Sequence, residues 1–144
     1  MGRIRELMTV LPRTVKVGDS IVDAAKLMRG EDAGIAPIVD GERLVGVVTD
    51  RDIAVRVVAA GRDPEATKVE EISSTTLVTI DPDQGLDEAL RLLAEHQVRR
   101  LPVVEEDGRL VGIVAHADVA RQAGRTEFAS STTPVESAGG LHPL

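Results

Sequence analysis

Apolar residues recur along this chain in two rhythms, one of about 3.6 residues and one of short continuous runs. Ile21, Ala24, Ala25 and Met28 fall at i, i+3, i+4 and i+7, and Leu86, Ala89, Leu90 and Leu93 repeat that spacing, so each set predicts the buried stripe of an amphipathic helix. A short strand is predicted before each helix, Thr14 to Val17 and Leu77 to Ile80, and a lead-in with apolar residues at i and i+3 before that: Ile4 with Leu7, Val69 with Ile72. After each helix come two apolar runs joined by a glycine-containing turn. Ile35 to Val39 meets Leu44 to Val48 through Asp40-Gly41, and Leu101 to Val104 meets Leu110 to Val114 through Glu105-Glu-Asp-Gly108, which is the signature of β-hairpins. A second helix closes each set, at Ala60-Gly61 and at Ala123-Gly124, where glycine suits a left-handed C-terminal cap.

The two sets are copies of one unit. Arg43-Leu-Val-Gly-Val-Val-Thr-Asp-Arg-Asp-Ile-Ala54 lies over Arg109-Leu-Val-Gly-Ile-Val-Ala-His-Ala-Asp-Val-Ala120 at an offset of 66 with seven of twelve positions identical. Ala36-Pro-Ile-Val39 matches Leu101-Pro-Val-Val104 at an offset of 65, and Val15-Lys-Val17 matches Val78-Thr-Ile80 at 63, so the register changes fall in turns. A unit of this size cannot bury both faces of its sheet alone. The expected fold is therefore α+β: two β-α-β-β-α repeats packed through their sheets with pseudo-two-fold symmetry. Residues 4–60 form repeat 1, 61–68 a turn-rich linker and 69–124 repeat 2; residues 125–144, rich in Ser, Thr, Pro and Gly, are expected to form a flexible tail.

Composition narrows the chemistry. With 42% apolar and 28% charged residues in 144, the chain has material for a globular core and no room for a large multidomain enzyme. Its formal charge of −7 opposes attraction to nucleic acid or anionic lipid. The absence of cysteine excludes disulfides, thiolate zinc and iron–sulfur ligation, and cysteine nucleophiles, and fits a reducing cytoplasm. No apolar run approaches the roughly 18 residues of a membrane span, and the first residues lack a signal-peptide core. Phe128 is the one aromatic residue, so any bound ring must lie between aliphatic side chains.

The tandem pattern, with Gly46-Val-Val-Thr-Asp-Arg-Asp52 in one copy and Leu101-Pro-Val-Val104 in the other, resembles a pair of cystathionine-β-synthase (CBS) domains, a Bateman module, over residues 4–124. Thr49-Asp-Arg-Asp-Ile53, Ala60-Gly-Arg-Asp-Pro64 and His96-Gln-Val-Arg-Arg-Leu-Pro102 are similar to phrases of small stand-alone CBS-pair proteins of actinobacteria. The resemblance implies a regulatory module whose inter-repeat cleft takes an adenosine-containing ligand, AMP, ADP, ATP or S-adenosylmethionine. It further implies that Asp52 receives the ribose hydroxyls and Thr49 a ribose or phosphate oxygen, a role suited to a carboxylate that accepts two charge-assisted hydrogen bonds. Adenine would lie among Thr14, Val15, Ile35, Ala36 and Pro37. Each of these residues is equally what a buried sheet edge contains, and Thr49 with Asp52 is also close to a helix capping box.

Copy two departs from the pattern, with Gly112 and Asp118 retained but Ala115 and His116 replacing a hydroxyl and an acid. By the same analogy a second, weaker site would comprise Leu77, Val78, Arg100, Leu101, Pro102, His116 and Asp118. Protonated His116 would serve as a phosphate partner there, or stand simply as an exposed residue of a first helical turn. Arg99 and Arg100 suit phosphates, and equally suit surface ion pairs with Glu95 or Glu105.

Catalytic chemistry has little support. His96, His116 and His142 show no metal-ligand spacing, no nucleophile elbow or phosphate loop occurs, and Asp50 with Asp52 suits a helix dipole as well as Mg²⁺. The expectation is a non-enzymatic cytoplasmic sensor, with no obligatory cofactor and no metal, homodimeric, passing the state of a nucleotide ligand to an unknown protein effector. The competing expectation is a ligand-free, stress-associated interaction protein with decayed sites; nucleic-acid binding through Arg99, Arg100 and Arg121 is a third, which a salt-dependent shift would reveal.

Overall fold

The computed structural model describes residues 2–74 and 77–130, apart from the side chains of 126–130, so the tail beyond Ser130 and the side chain of Phe128 lie outside the described residues. In chain order the elements are α1 (Ile4–Leu7), β1 (Thr9–Val10), β2 (Val15–Lys16), α2 (Ile21–Glu31), β3 (Ile35–Asp40), β4 (Arg43–Thr49) and α3 (Asp50–Ile53). A π-helical segment, Ala54–Val58, continues α3, and α4 (Val69–Ile72), α5 (Leu86–His96), β5 (Arg100–Val104), β6 (Leu110–Ala115) and α6 (His116–Ser130) follow.

Both hairpins form as antiparallel pairs, β3 with β4 and β5 with β6, and β2 joins β3 in parallel. Strand alternation divides each hairpin. Ala36, Ile38 and Val48 face a core with Ile21, Ala24 and Met28 of α2, while Leu101, Val103 and Val114 face a second core with Leu86, Ala89 and Leu93 of α5.

Each core is completed by the lead-in of the other repeat. Strand β1 belongs to repeat 1 by sequence but pairs antiparallel with β6 of repeat 2, giving the order β1-β6-β5, and Ile4 is fully buried in the second core. Reciprocally, Ser74 pairs with Val47 of β4, and Val69 and Ile72 are buried in the first core. The exchange follows one symmetry. Ile4 N–H donates to the Gln84 carbonyl and Val69 N–H to that of Asp19, each at 2.9 Å and 65 residues apart in both donor and acceptor. At the hairpin turns, Leu44 N–H donates to Gly108 O at 3.0 Å and Leu110 N–H to Glu42 O at 2.9 Å, the same bond read in both directions across a pseudo-dyad.

Three elements differ from expectation. The strand expected at Leu77 to Ile80 is reduced to one parallel bridge, Ile80 with Val103, because the turn at Asp81-Pro82 follows at once. The second helix of repeat 1 makes a single α turn before widening to π geometry, then stops at Gly61 (φ +74°), where Gly61 N–H bonds Val58 O and Arg62 N–H bonds Val57 O. Its counterpart α6 passes through Gly124, which has no positive φ, and continues to Ser130. Residues 125–130, assigned to the tail by composition, are thus helical, since a glycine that stays right-handed weakens a helix without ending it.

Candidate functional site

Thr49 ends β4 and caps α3. Its hydroxyl accepts the Asp52 N–H at 3.1 Å, and its own N–H donates to Asp52 Oδ2 at 3.0 Å, so the capping box is fully formed. That arrangement fixes both side chains without exhausting them. Among the described residues no hydrogen bond engages Asp52 Oδ1, and the Thr49 hydroxyl keeps its proton for donation. Asp50 is committed locally: its Oδ1 accepts the Arg51 N–H at 2.8 Å, and its N–H donates to Gly34 O.

Gly34 packs closely against that side chain: a Cβ there would stand 2.7 Å from Asp50 Oδ2, so the exposed Asp50 carboxylate would have to swing aside to admit one. The corresponding bond in repeat 2 runs from His116 N–H to Arg99 O at 2.7 Å, with exposed His116 in place of Asp50. Asp118 is turned to the surface, where it pairs with Arg121 at 3.1 Å instead of returning a bond to the strand end. The two repeats therefore have the same backbone and different chemistry at this position.

Ile35 faces Thr49 across the hairpin, and with Pro37 it lines a small cavity of about 70 Å³ shared with Thr9 of β1, Arg100 of β5 and Ile113 of β6. Residues expected in two separate sites, Ile35 and Pro37 in one and Arg100 in the other, thus meet in one place. Val15, Ala36 and Leu101 pack in the cores, so only their backbone can touch a ligand. Thr14 lines a second, larger cavity of about 480 Å³ at the hairpin turns, which shares Pro12 with the first. Leu77, Val78, Pro102, His116 and Asp118 line neither cavity, nor do Thr49 and Asp52.

Sequence reasoning missed Thr9, Pro12 and Ile113. The outward position of Ile113 follows from strand alternation once Gly112 and Val114 are inward, whereas Thr9 and Pro12 enter only through the exchanged lead-in. The surface-pair alternative for Arg99 and Arg100 is corrected: Glu95 pairs with Arg91 at 2.6 Å and Glu105 with Arg109 at 3.6 Å, and among the described residues neither Arg99 nor Arg100 forms an ion pair.

The CBS domain family model matches residues 4–59 and 69–124. Among curated proteins, CBS domain-containing protein YhcV of Bacillus subtilis is 41% identical over 142 residues, covering 99% of this chain and 100% of its own. Hypoxic response protein 1 of Mycobacterium tuberculosis is 40% identical over 122 residues, 84% of this chain and 85% of its own. A crystal structure of Hypoxic Response Protein I with two coordinated zinc ions superposes with a TM-score of 0.76, covering 83% of this chain and 98% of that one. The CBS domain pair of MJ0100, in complex with 5-methylthioadenosine and S-adenosyl-L-methionine, is 28% identical with a TM-score of 0.76, over 88% of this chain and 98% of that one. CBSX2 in complex with AMP is also 28% identical, with a TM-score of 0.74 over 88% and 99%.

The chain has no cysteine, and among the described residues no three His, Asp or Glu side chains stand together as a metal site. No helix among those residues is long and apolar enough to cross a membrane.

Proposed function

We propose, from the premise that this chain belongs to the CBS-domain family, that it is a non-enzymatic cytoplasmic regulatory module whose inter-repeat cleft binds an adenosine-containing ligand. One observation carries the reading. The Thr49–Asp52 capping box leaves a carboxylate oxygen and a hydroxyl proton unspent, and Thr49 is the cross-strand partner of Ile35, which lines a cavity walled by both repeats. Asp52 would receive the vicinal ribose hydroxyls, Ile35, Pro37 and Ile113 would hold the base by dispersion and desolvation, and Arg100 would answer a phosphate with its guanidinium fork. The AMP and S-adenosylmethionine complexes of structural relatives support this ligand class.

A ligand held by β3 of one repeat and by β5 and β6 of the other favours one arrangement of the two repeats, and so shifts a pre-existing equilibrium. At about 70 Å³ the cavity is far below the roughly 300–1,000 Å³ of small-molecule sites, so binding requires the sheets to part. That opening is the change we assign to the signal, read out through a homodimer surface or a separate protein effector. Repeat 2, with Ala115 for the hydroxyl and Asp118 tied to Arg121, would bind more weakly.

The small cavity also favours a second reading, a ligand-free interaction protein that keeps the fold and has lost its sites. Calorimetric titration with AMP and 2′-deoxy-AMP separates the two. The sensor reading expects AMP to bind, and the deoxy analogue to bind at least about tenfold more weakly, the worth of one hydrogen bond to a charged group. Absence of binding by either favours the interaction protein.

A further inference from the structure

We propose that the larger cavity, between the exchanged lead-in of residues 5–14 and the two hairpin turns, is a separate site for a small zwitterion: an α-amino carboxylate carried on an aliphatic body. The cavity measures about 480 Å³, within the range of small-molecule sites, and neither Thr49 nor Asp52 lines it. Its charged lining is balanced, Arg5 and Arg109 against Glu42 and Glu105.

These groups retain bonding capacity. Arg109 is ion-paired with Glu105 at 3.6 Å, too far for a hydrogen bond, so its guanidinium N–H groups are still available to a ligand oxygen. Arg5 gives Nε and Nη2 to Asp83 and keeps Nη1. The Glu42 carboxylate has no ion pair among the described residues, although its backbone carbonyl holds Leu110. A carboxylate can therefore enter against Arg109 while an ammonium faces Glu42 and Glu105. A triphosphate would bring several negative charges against those two acids, which disfavours it.

The rest of the lining specifies the body of the ligand. Met8, Val39, Leu110 and Val111 give it aliphatic walls. At the rim, Val10 and Leu11 are 61% and 85% exposed, and Leu11 holds a left-handed backbone (φ +54°) that a leucine rarely adopts. Two exposed apolar side chains on a strained crossover gain cover when an aliphatic group fills the space beneath them.

The test is calorimetric titration of the full chain with L-leucine, L-methionine, S-adenosylmethionine and ATP, on the unaltered protein and on Arg109→Gln, Glu42→Gln and Asp52→Asn. Arg109→Gln and Glu42→Gln alter exposed side chains, and the melting temperatures of all three variants confirm folding. L-leucine or L-methionine is expected to bind, at least about tenfold more weakly to Arg109→Gln and to Glu42→Gln and equally well to Asp52→Asn. Binding of S-adenosylmethionine alone, weakened by the same two variants, supports the site and identifies the amino carboxylate as nucleoside-borne. Failure of all three zwitterions at about 10 mM, or binding indifferent to both Arg109→Gln and Glu42→Gln, overturns the proposal. The adenosine reading is tested separately, by whether Asp52→Asn abolishes the binding of an adenine nucleotide.

Discussion

Met8 lies over Gly112: a Cβ on that glycine would stand 2.5 Å from Met8 Sδ and 3.0 Å from the Thr9 carbonyl oxygen. The corresponding glycine of the other repeat, Gly46, lies under the other exchanged segment, with Ser73 Oγ at 3.2 Å and Ser74 O at 3.4 Å from a notional Cβ. The glycine that opens Gly46-Val-Val-Thr-Asp-Arg-Asp52, like its counterpart Gly112, therefore has a packing role of its own, close passage of the exchanged segment from the opposite repeat.

At Gly46 the Ser73 hydroxyl at 3.2 Å can rotate away and the Ser74 oxygen at 3.4 Å is in ordinary contact, whereas Gly112 has the Thr9 backbone oxygen at 3.0 Å as well as Met8 Sδ at 2.5 Å. Gly112→Ala is accordingly expected to destabilise by about 1–3 kcal/mol, and Gly46→Ala by less than about 1 kcal/mol. Chemical denaturation of both variants checks the order.

Ile4 belongs by sequence to repeat 1 and by burial to the core of repeat 2. Ile4→Ala should cost about 2–5 kcal/mol, as for other fully buried large-to-small changes. In native-state hydrogen exchange the loss of protection should concentrate in β5 and β6. Loss confined to β3 and β4 would contradict the exchanged lead-ins.

Glu71, on α4, is held ionised below its ordinary value of 4.5, first by the Lys68 N–H that it accepts and then by Arg62, to which it is hydrogen-bonded. Glu88 is lowered likewise by Arg91. For a carboxylate lowered in the folded state, the stability it contributes is present above its unfolded value and is lost as pH falls through the folded one. As pH falls below the ordinary carboxylate value of 4.5 and through the lowered folded values, the native protein should lose stability, and Glu71→Gln should make that loss shallower in denaturation curves taken at successive pH values.

The hairpins and long helices were legible because their apolar periodicity is internal to each element, and the repeat reinforced each assignment. The exchange was not. Ile4 and Leu7 have a spacing that fits either core, and only tertiary pairing decides which one they join. The continuation of α6 was obscured because Gly124 looks like a cap and its φ cannot be read from sequence. At the site, Thr49 and Asp52 were visible as a motif, and the cavity was only half visible: Ile35 and Pro37 share their walls with Thr9 and Ile113, whose proximity depends on the exchanged β1 strand.

Asp52→Asn tests the central claim most directly. Asparagine keeps an oxygen for the Thr49 N–H and a good helix-capping environment, so unliganded stability should change by less than about 1 kcal/mol. Scanning calorimetry of both forms, with AMP, ATP and S-adenosylmethionine each at millimolar concentration, is the measurement. The account predicts that at least one of these raises the transition of the unaltered protein, by the equivalent of about 2.7 kcal/mol at a hundredfold excess over its dissociation constant, and that Asp52→Asn loses the rise. A transition unmoved by all three, or raised equally in both forms, would contradict it.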